Sequence, residues 1–425
     1  MLSRIKAGLI QKGGISFVDQ GLVSFTNFFT SLILARYLIP ADYGIFVILY
    51  AIFILLNQIQ VSVISGPMLT LGAPLSDRES QIYFSSLSII LLVSFLLLGF
   101  LILPVTKYIL FTIFNLSIEK PFTVMVLAAI CFMAQEFLRK IYYTTLRLES
   151  VLQNDLICYG LRIIGIIILI KADCLTVVNV FVVIGITYFI GAIWGLYQHR
   201  FLLFSKKVDL KVNFLRNWHF GKWLLGGSIA DQSSNQIFFY MTGILLSASM
   251  VGVLGAARNI LGLANIILLG LDNWLNPTAS IHFAKNGKGA LNRLLVRVSI
   301  WGGVVIGAYC IAASLFSQVL LDLLYRNIYS GYEMIVILFA LQTLVIFSVR
   351  MPTYGIRAIR KPQYLFISKL ISALFALPAS IFLINHFGIY GACSGMILGQ
   401  LILFAALTLF YLKTINGISF AEVPT

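Results

Sequence analysis

The chain has 425 residues, 60% of them hydrophobic and 11% charged, and its mean hydropathy of +0.97 excludes an ordinary soluble globular protein. Thirty Lys and Arg against fifteen Asp and Glu give a net charge of +15. The basic residues are dispersed over short connections, which argues against a nucleic-acid partner and for membrane orientation beside anionic lipid headgroups.

A bilayer core about 30 Å thick needs roughly twenty apolar residues in helical form. Along the chain, such runs are predicted at 15–38, 43–76, 82–104, 121–142, 154–171, 174–198, 222–246, 251–272, 298–321, 333–352, 364–385 and 387–412. Arg4, Lys6 and Lys12 precede the first run as they would in a signal peptide, but Asp19 and Asn27 interrupt it and no Ala-x-Ala site follows. It is therefore read as an uncleaved first span. Twenty-three basic residues fall in the tails and gaps of one side, and five (Arg36, Lys107, Lys120, Lys171, Arg326) fall on the other, with Arg162 and Arg258 left inside spans. The positive-inside rule then predicts twelve helices with both termini in the cytoplasm.

The longest and most basic inner connection separates six spans from six. It predicts a bundle over 1–198, a basic cytoplasmic linker over 199–221 and a second bundle over 222–425. A weak internal echo agrees: Asp19-Gln20 opens the first span and Asp231-Gln232 the seventh, and a Gly-containing turn follows each. The expected fold is an all-α integral membrane protein of about twelve helices in two six-helix bundles around a central cavity. Gly391, Gly395 and Gly399, four residues apart on the last span, predict a close helix contact. The five cysteines lack metal or redox spacing and read as packing residues.

Polar groups at membrane depth are costly and should face a cavity or a partner. Span one carries Gln20, Ser24, Asn27 and Ser31 on one face, span five Asp155, Tyr159 and Arg162, span seven Ser228, Asp231 and Asn235, and span eight Arg258, Asn265 and Asp272. Together these stripes would line one water-accessible chamber. Each also has a plainer reading. Asn, Ser and Gln serve as interhelical glue worth about 0.6 kcal/mol apiece, Arg36 sits where it would cap its helix, and Asp155 and Asp272 lie near predicted span ends where water would hold them. Arg162 and Arg258 differ, because arginine cannot shed its charge and costs about 2.5–3.5 kcal/mol in a membrane helix. Candidate substrate contacts are thus Arg258, Arg162, Arg36, Asn27, Gln20 and Asn235. Asp19 and Asp231, at matching places in the two halves, are candidates for a coupling ion.

The turn Pro40-Ala41-Asp42-Tyr43-Gly44-Ile45-Phe46 resembles the signature of the polysaccharide transporters of the multidrug/oligosaccharidyl-lipid/polysaccharide exporter superfamily. Asn385-His386-Phe387-Gly388-Ile389-Tyr390-Gly391-Ala392 resembles their turn before the last helix, and Gly252-Val253-Leu254-Gly255-Ala256-Ala257-Arg258 is similar to their eighth-helix entry, with Leu254 where an aromatic is more usual. The resemblance spans essentially the whole chain. It implies a Wzx-type flippase moving an undecaprenyl-diphosphate-linked oligosaccharide repeat unit across the bacterial inner membrane by alternating access, for O-antigen, capsule or exopolysaccharide assembly. It further implies a polysaccharide polymerase and a chain-length regulator as partners. Related lipid II flippases usually have fourteen spans.

A diphosphate offers planar two-point acceptors that guanidinium matches. A drug or cation exporter of the same superfamily is the nearer alternative, against which two arginines at membrane depth count as cation-repelling. A multispanning glycosyltransferase or polymerase is the weaker one. No Asp-x-Asp, His-Glu-x-x-His, Walker or Gly-x-Gly-x-x-Gly pattern occurs, so no metal, cofactor or bound nucleotide is expected.

Overall fold

With no water to satisfy backbone groups, apolar runs of this length fold as helices. A computed structural model of the protein describes residues 2–72, 75–98, 104, 119–145, 147–203, 205, 207–359 and 361–417, and every regular element among them is helical. The elements are α1 (Leu2–Tyr37), α2 (Pro40–Gln60), α3 (Gly66–Leu71), α4 (Asp77–Leu97), α5 (Glu119–Thr144), α6 (Leu148–Lys171) and α7 (Val177–Leu203). There follow α8 (Leu210–Leu245), α9 (Ala248–Leu261), α10 (Ala264–Leu315), α11 (Ser317–Tyr325), α12 (Glu333–Ala358) and α13 (Pro362–Gly417). A π-helical turn, Val61–Ser65, joins α2 to α3. Among the described residues, eight segments are long and apolar enough to cross a bilayer. This is a multi-pass membrane protein.

A helix occupies each predicted span, and the breaks have local causes. Gly287 (φ 68°) divides α10 and Gly388 (φ 57°) divides α13, each in a left-handed conformation that costs glycine little. The entry to α4 is fixed by Glu79, which accepts from the Ser76 amide at 3.1 Å and its hydroxyl at 2.7 Å. Two spans differ from expectation. The eighth is not one rod, because 3.0 Å i→i+3 bonds from Gly262 to Asn259 and from Asn265 to Gly262 interrupt the ladder between α9 and α10. The ninth ends at Leu315, and α11 follows as a short amphipathic helix that buries Ser317, Leu321 and Tyr325 while exposing Val319 and Leu323.

The chain forms two compact units, one of Met1–Thr30 with Ile45–Ser228 and one of Ser31–Gly44 with Ile229–Thr425. In the first, α7 packs on α5, α6 and α4. Small residues on α7 let the backbones approach: a Cβ on Gly185 would lie 3.3 Å from Ala128 of α5, and one on Gly191 would run into Cys158 of α6. Stacked rings run inward from Phe53 through Phe132 to Tyr188, with centroids 5.0 and 4.6 Å apart.

In the second unit α12 is central, packed by α10, α13 and α9. Gly395 of α13 meets the Phe238 ring, and Ser372 donates to the Gly399 carbonyl at 2.9 Å. The turn between α1 and α2 is held here by two reciprocal glycine contacts. A Cβ on Gly44 would sit 1.7 Å from the Ala248 carbonyl oxygen, and one on Gly252 would sit 2.4 Å from that of Pro40. Beside them the fully buried Tyr43 meets Ser31 at 2.8 Å and the Tyr329 ring edge-on.

Because a backbone carbonyl opposes Gly44, Gly44→Ala must displace a helix and should cost about 1–3 kcal/mol or more. Thermal unfolding in detergent checks this against Gly307→Ala, where nothing lies within 4 Å. The control should match wild type, and an unchanged midpoint for Gly44→Ala would refute the close approach.

Candidate functional site

On α5, Glu136, Arg139, Lys140 and Tyr143 fall at helical spacings of three and four, so they share one face. On α6, Asp155, Tyr159 and Arg162 do the same. Asp19 of α1 completes a buried cluster in the first unit. The Arg139 Nη2 donates to Asp19 Oδ2 at 2.7 Å, and its Nε pairs with Asp155 Oδ2 at 2.8 Å. Glu136 lies 3.4 Å from Arg139 and 2.9 Å from the Lys140 Nζ. Tyr143 donates to Asp19 at 2.8 Å, and Gln135 donates to Asn154 at 2.8 Å and to Asp155 at 3.2 Å. Asp19, Asp155 and Arg139 are 1%, 0% and 7% exposed. Among the described residues three carboxyl groups face two cations here, one acidic group more than basic ones.

The structure corrects two readings of the sequence at this point. Asp155 is not a solvated residue near a helix end, because α6 begins at Leu148 and places it two turns inside. Arg139, counted among the loop charges, is the centre of the cluster. The signal for it was present: Glu136, Arg139 and Tyr143 recur on one face of an otherwise apolar run.

Seven residues beyond Asp155, Arg162 is met differently. It is 1% exposed, with its guanidinium carbon 4.8 Å from the Tyr159 ring centre and 4.6 Å from that of Tyr188. Its Nη1 donates to the Asn27 side-chain oxygen at 3.0 Å. Its Nε and Nη2 are buried without a well-aligned hydrogen bond, although the Tyr188 side chain approaches the guanidinium. Among the described residues no carboxylate lies within ion-pair distance of it. Rings and an amide oxygen stabilise the cation without cancelling its charge. The Nε/Nη2 edge is a two-donor fork of the kind that binds planar anions.

In the second unit, Arg258 lies over the Phe239 ring at 4.1 Å and donates to Gln236 at 3.3 Å. It lines a cavity of about 140 Å³ with Phe239, Asn265, Phe339, Gln342 and Met396. The break before α10 separates Arg258 from Asn265 and Asp272, which stay two turns apart on α10. That carboxylate is engaged by Arg350 and by the Tyr354 hydroxyl of α12, the latter at 2.5 Å. Asp272 is therefore neither a solvated end residue nor the third member of an Arg258 stripe. Arg350 and Tyr354 carry no such signal in the sequence, since their partner is 78 and 82 residues away.

The remaining candidates are scattered. Gln20 hydrogen-bonds Tyr143, at the margin of the first cluster. Arg36 reaches the Leu323 carbonyl of α11 at 3.5 Å, in the second unit. Ser228 meets Ser62 at 2.9 Å. Asp231 and Asn235 lie on α8, and their side chains fall outside the described ones.

The fold is similar to that of known transporters. An inward-facing multidrug resistance MATE family transporter of the MOP superfamily superposes with a TM-score of 0.76 at 13% identity, over 93% of this chain and 95% of that one. Lipid II flippase MurJ in an inward closed conformation gives 0.70 at 15%, over 95% and 87%. A MOP superfamily transporter from Pyrococcus furiosus, described as having a binding pocket of reverse polarity that suggests a different function, gives 0.66 at 14%, over 96% and 95%. No protein-family model matches the chain, and no curated protein matches it in sequence. At these identities the likeness is one of fold.

Removing the shared cation of the first cluster leaves buried carboxylates uncompensated. Arg139→Gln should cost about 3–5 kcal/mol, seen as loss of the monodisperse peak in detergent chromatography. Adding Asp155→Asn should restore part of it, and a single variant that folds like wild type would show that the cluster is not a structural tie.

Proposed function

We propose that this chain is a flippase that carries an undecaprenyl-diphosphate-linked oligosaccharide repeat unit from the cytoplasmic to the periplasmic leaflet of a bacterial inner membrane, with both termini cytoplasmic. The observation that carries the reading is Arg162. A buried guanidinium that keeps its full charge, bordered by two tyrosine rings and with no carboxylate beside it among the described residues, is costly unless an anion uses it. A diphosphate presents the matching acceptors, and Arg258 in the second unit is the companion candidate. The fork is shut off from solvent in the conformation described, so the reading requires a change that exposes it. Similarity in fold to a lipid II flippase supports a lipid-linked cargo. Cationic cargo is disfavoured by the same two arginines.

Coupling is assigned to carboxylates. The first cluster holds one more carboxylate than cations, and a proton or a monovalent cation would neutralise the excess. Asp19, bound by Arg139 and Tyr143, is the candidate there, with Asp231 its counterpart in the second half.

Two measurements test these roles. In a flippase-deficient host, surface polysaccharide normalised to membrane protein should fall about tenfold or more for Arg162→Ala and Arg258→Ala, as expected for loss of a charge-assisted contact. Arg258→Lys should be impaired less, and lipid-linked repeat unit should accumulate in the inner leaflet. Unchanged normalised polysaccharide in both alanine variants would make the arginines structural. Separately, the Asp19→Asn, Asp231→Asn double variant should lose transport at wild-type expression, whereas full transport would remove both from coupling.

A further inference from the structure

The cavity beside Arg258 is built unlike a site for a bare anion. Phe239 and Phe339, 1% and 3% exposed, give it aromatic walls, with Met396 adding apolar surface. The Asn265 and Gln342 side-chain amides line the same space. Among the described residues neither side-chain amide has a hydrogen-bond partner, although each carries two donors and an acceptor. Unbonded amides beside aromatic rings match a pyranose, whose hydroxyls need both donors and acceptors and whose C–H face packs on rings. Size agrees: the cavity is about 140 Å³, and a cavity of about 150 Å³ admits a single six-membered ring. Among the described residues the lining places a guanidinium, and no carboxylate, on this space. An amine-bearing or otherwise cationic ligand is therefore disfavoured.

We propose that this cavity holds one sugar ring of the cargo, neutral or acidic, namely the ring attached to the diphosphate that Arg258 meets. The assignment rests on the flippase reading and deepens it. Asn265 and Gln342 select the hydroxyl pattern, and Phe239 and Phe339 hold the ring face. The site then reads the first sugar, whatever the rest of the repeat unit contains.

The test uses the full chain in proteoliposomes with two lipids, undecaprenyl diphosphate carrying a single N-acetylhexosamine and undecaprenyl diphosphate alone. Movement is read by digestion with a membrane-impermeant pyrophosphatase. Gln342→Ala and the milder core variant Phe339→Leu should each lower the ratio of sugar-bearing to bare-lipid rates at least threefold, whereas Arg258→Ala should slow both lipids. A ratio equal to wild type in both variants, while wild type moves both lipids, overturns the sugar site and leaves the flippase reading standing. Wild-type protein that moves neither lipid sinks the flippase reading instead. Saturation-transfer NMR of free N-acetylglucosamine with the protein in nanodiscs then decides the site alone. Transfer to ring protons that is lost in Gln342→Ala supports it, and no transfer in wild type, or its abolition by tetraphenylphosphonium, overturns it.

Discussion

A charge buried in a chain that is 60% hydrophobic must be met by the protein, because lipid offers it nothing. The first unit depends on that constraint. Arg139 of α5 binds Asp19 of α1 at 2.7 Å and Asp155 of α6 at 2.8 Å, so one guanidinium fixes the rotation of three helices about their own axes. Helix packing between apolar surfaces in lipid is weakly directional, since lipid tails and leucine are alike. The ion cluster supplies the direction, and the small residues of α7 let the backbones close around it.

Once α6 is held by Asp155, its next polar residue is oriented too. Arg162 lies two turns on along the same face, where the mutually perpendicular rings of Tyr159 from its own helix and Tyr188 from α7 both border it. The cluster thus does two jobs of opposite electrical character. At one end, carboxylates neutralise a cation and tie helices together. At the other, rings and an amide leave a cation charged and ready for an anion. The second unit repeats the first job with different residues, where Asp272 of α10 binds Arg350 and Tyr354 of α12.

The sequence carried the helices well, because length and apolarity are properties of a contiguous run. Gly287 falls in a predicted connection and Gly388 at the start of the last predicted run, and the polar faces of α1 and α6 were visible from spacing. Other features depended on what the sequence cannot count. Charge alternation treats every arginine near the end of a run as a loop residue, so Arg139 was placed outside the helix core that it organises. Asp155 was misjudged because α6 starts six residues before the apolar run does. The break between α9 and α10 follows from two short i→i+3 bonds at Gly262, a single glycine in an apolar run, and it puts Arg258 on one helix and Asp272 on the next.

That break also separates the two charged groups of the eighth span. In one continuous helix Arg258 and Asp272 would lie about 21 Å apart on a single rod. As it is, α9 carries Arg258 over the Phe239 ring, while α10 takes Asp272 to Arg350 and Tyr354 of α12. The described lining of the cavity then combines one guanidinium with two amide-bearing residues and aromatic walls. On the flippase reading proposed above, charge would serve a head common to every cargo and the neutral surface the sugar that differs, which is the division expected of such a carrier.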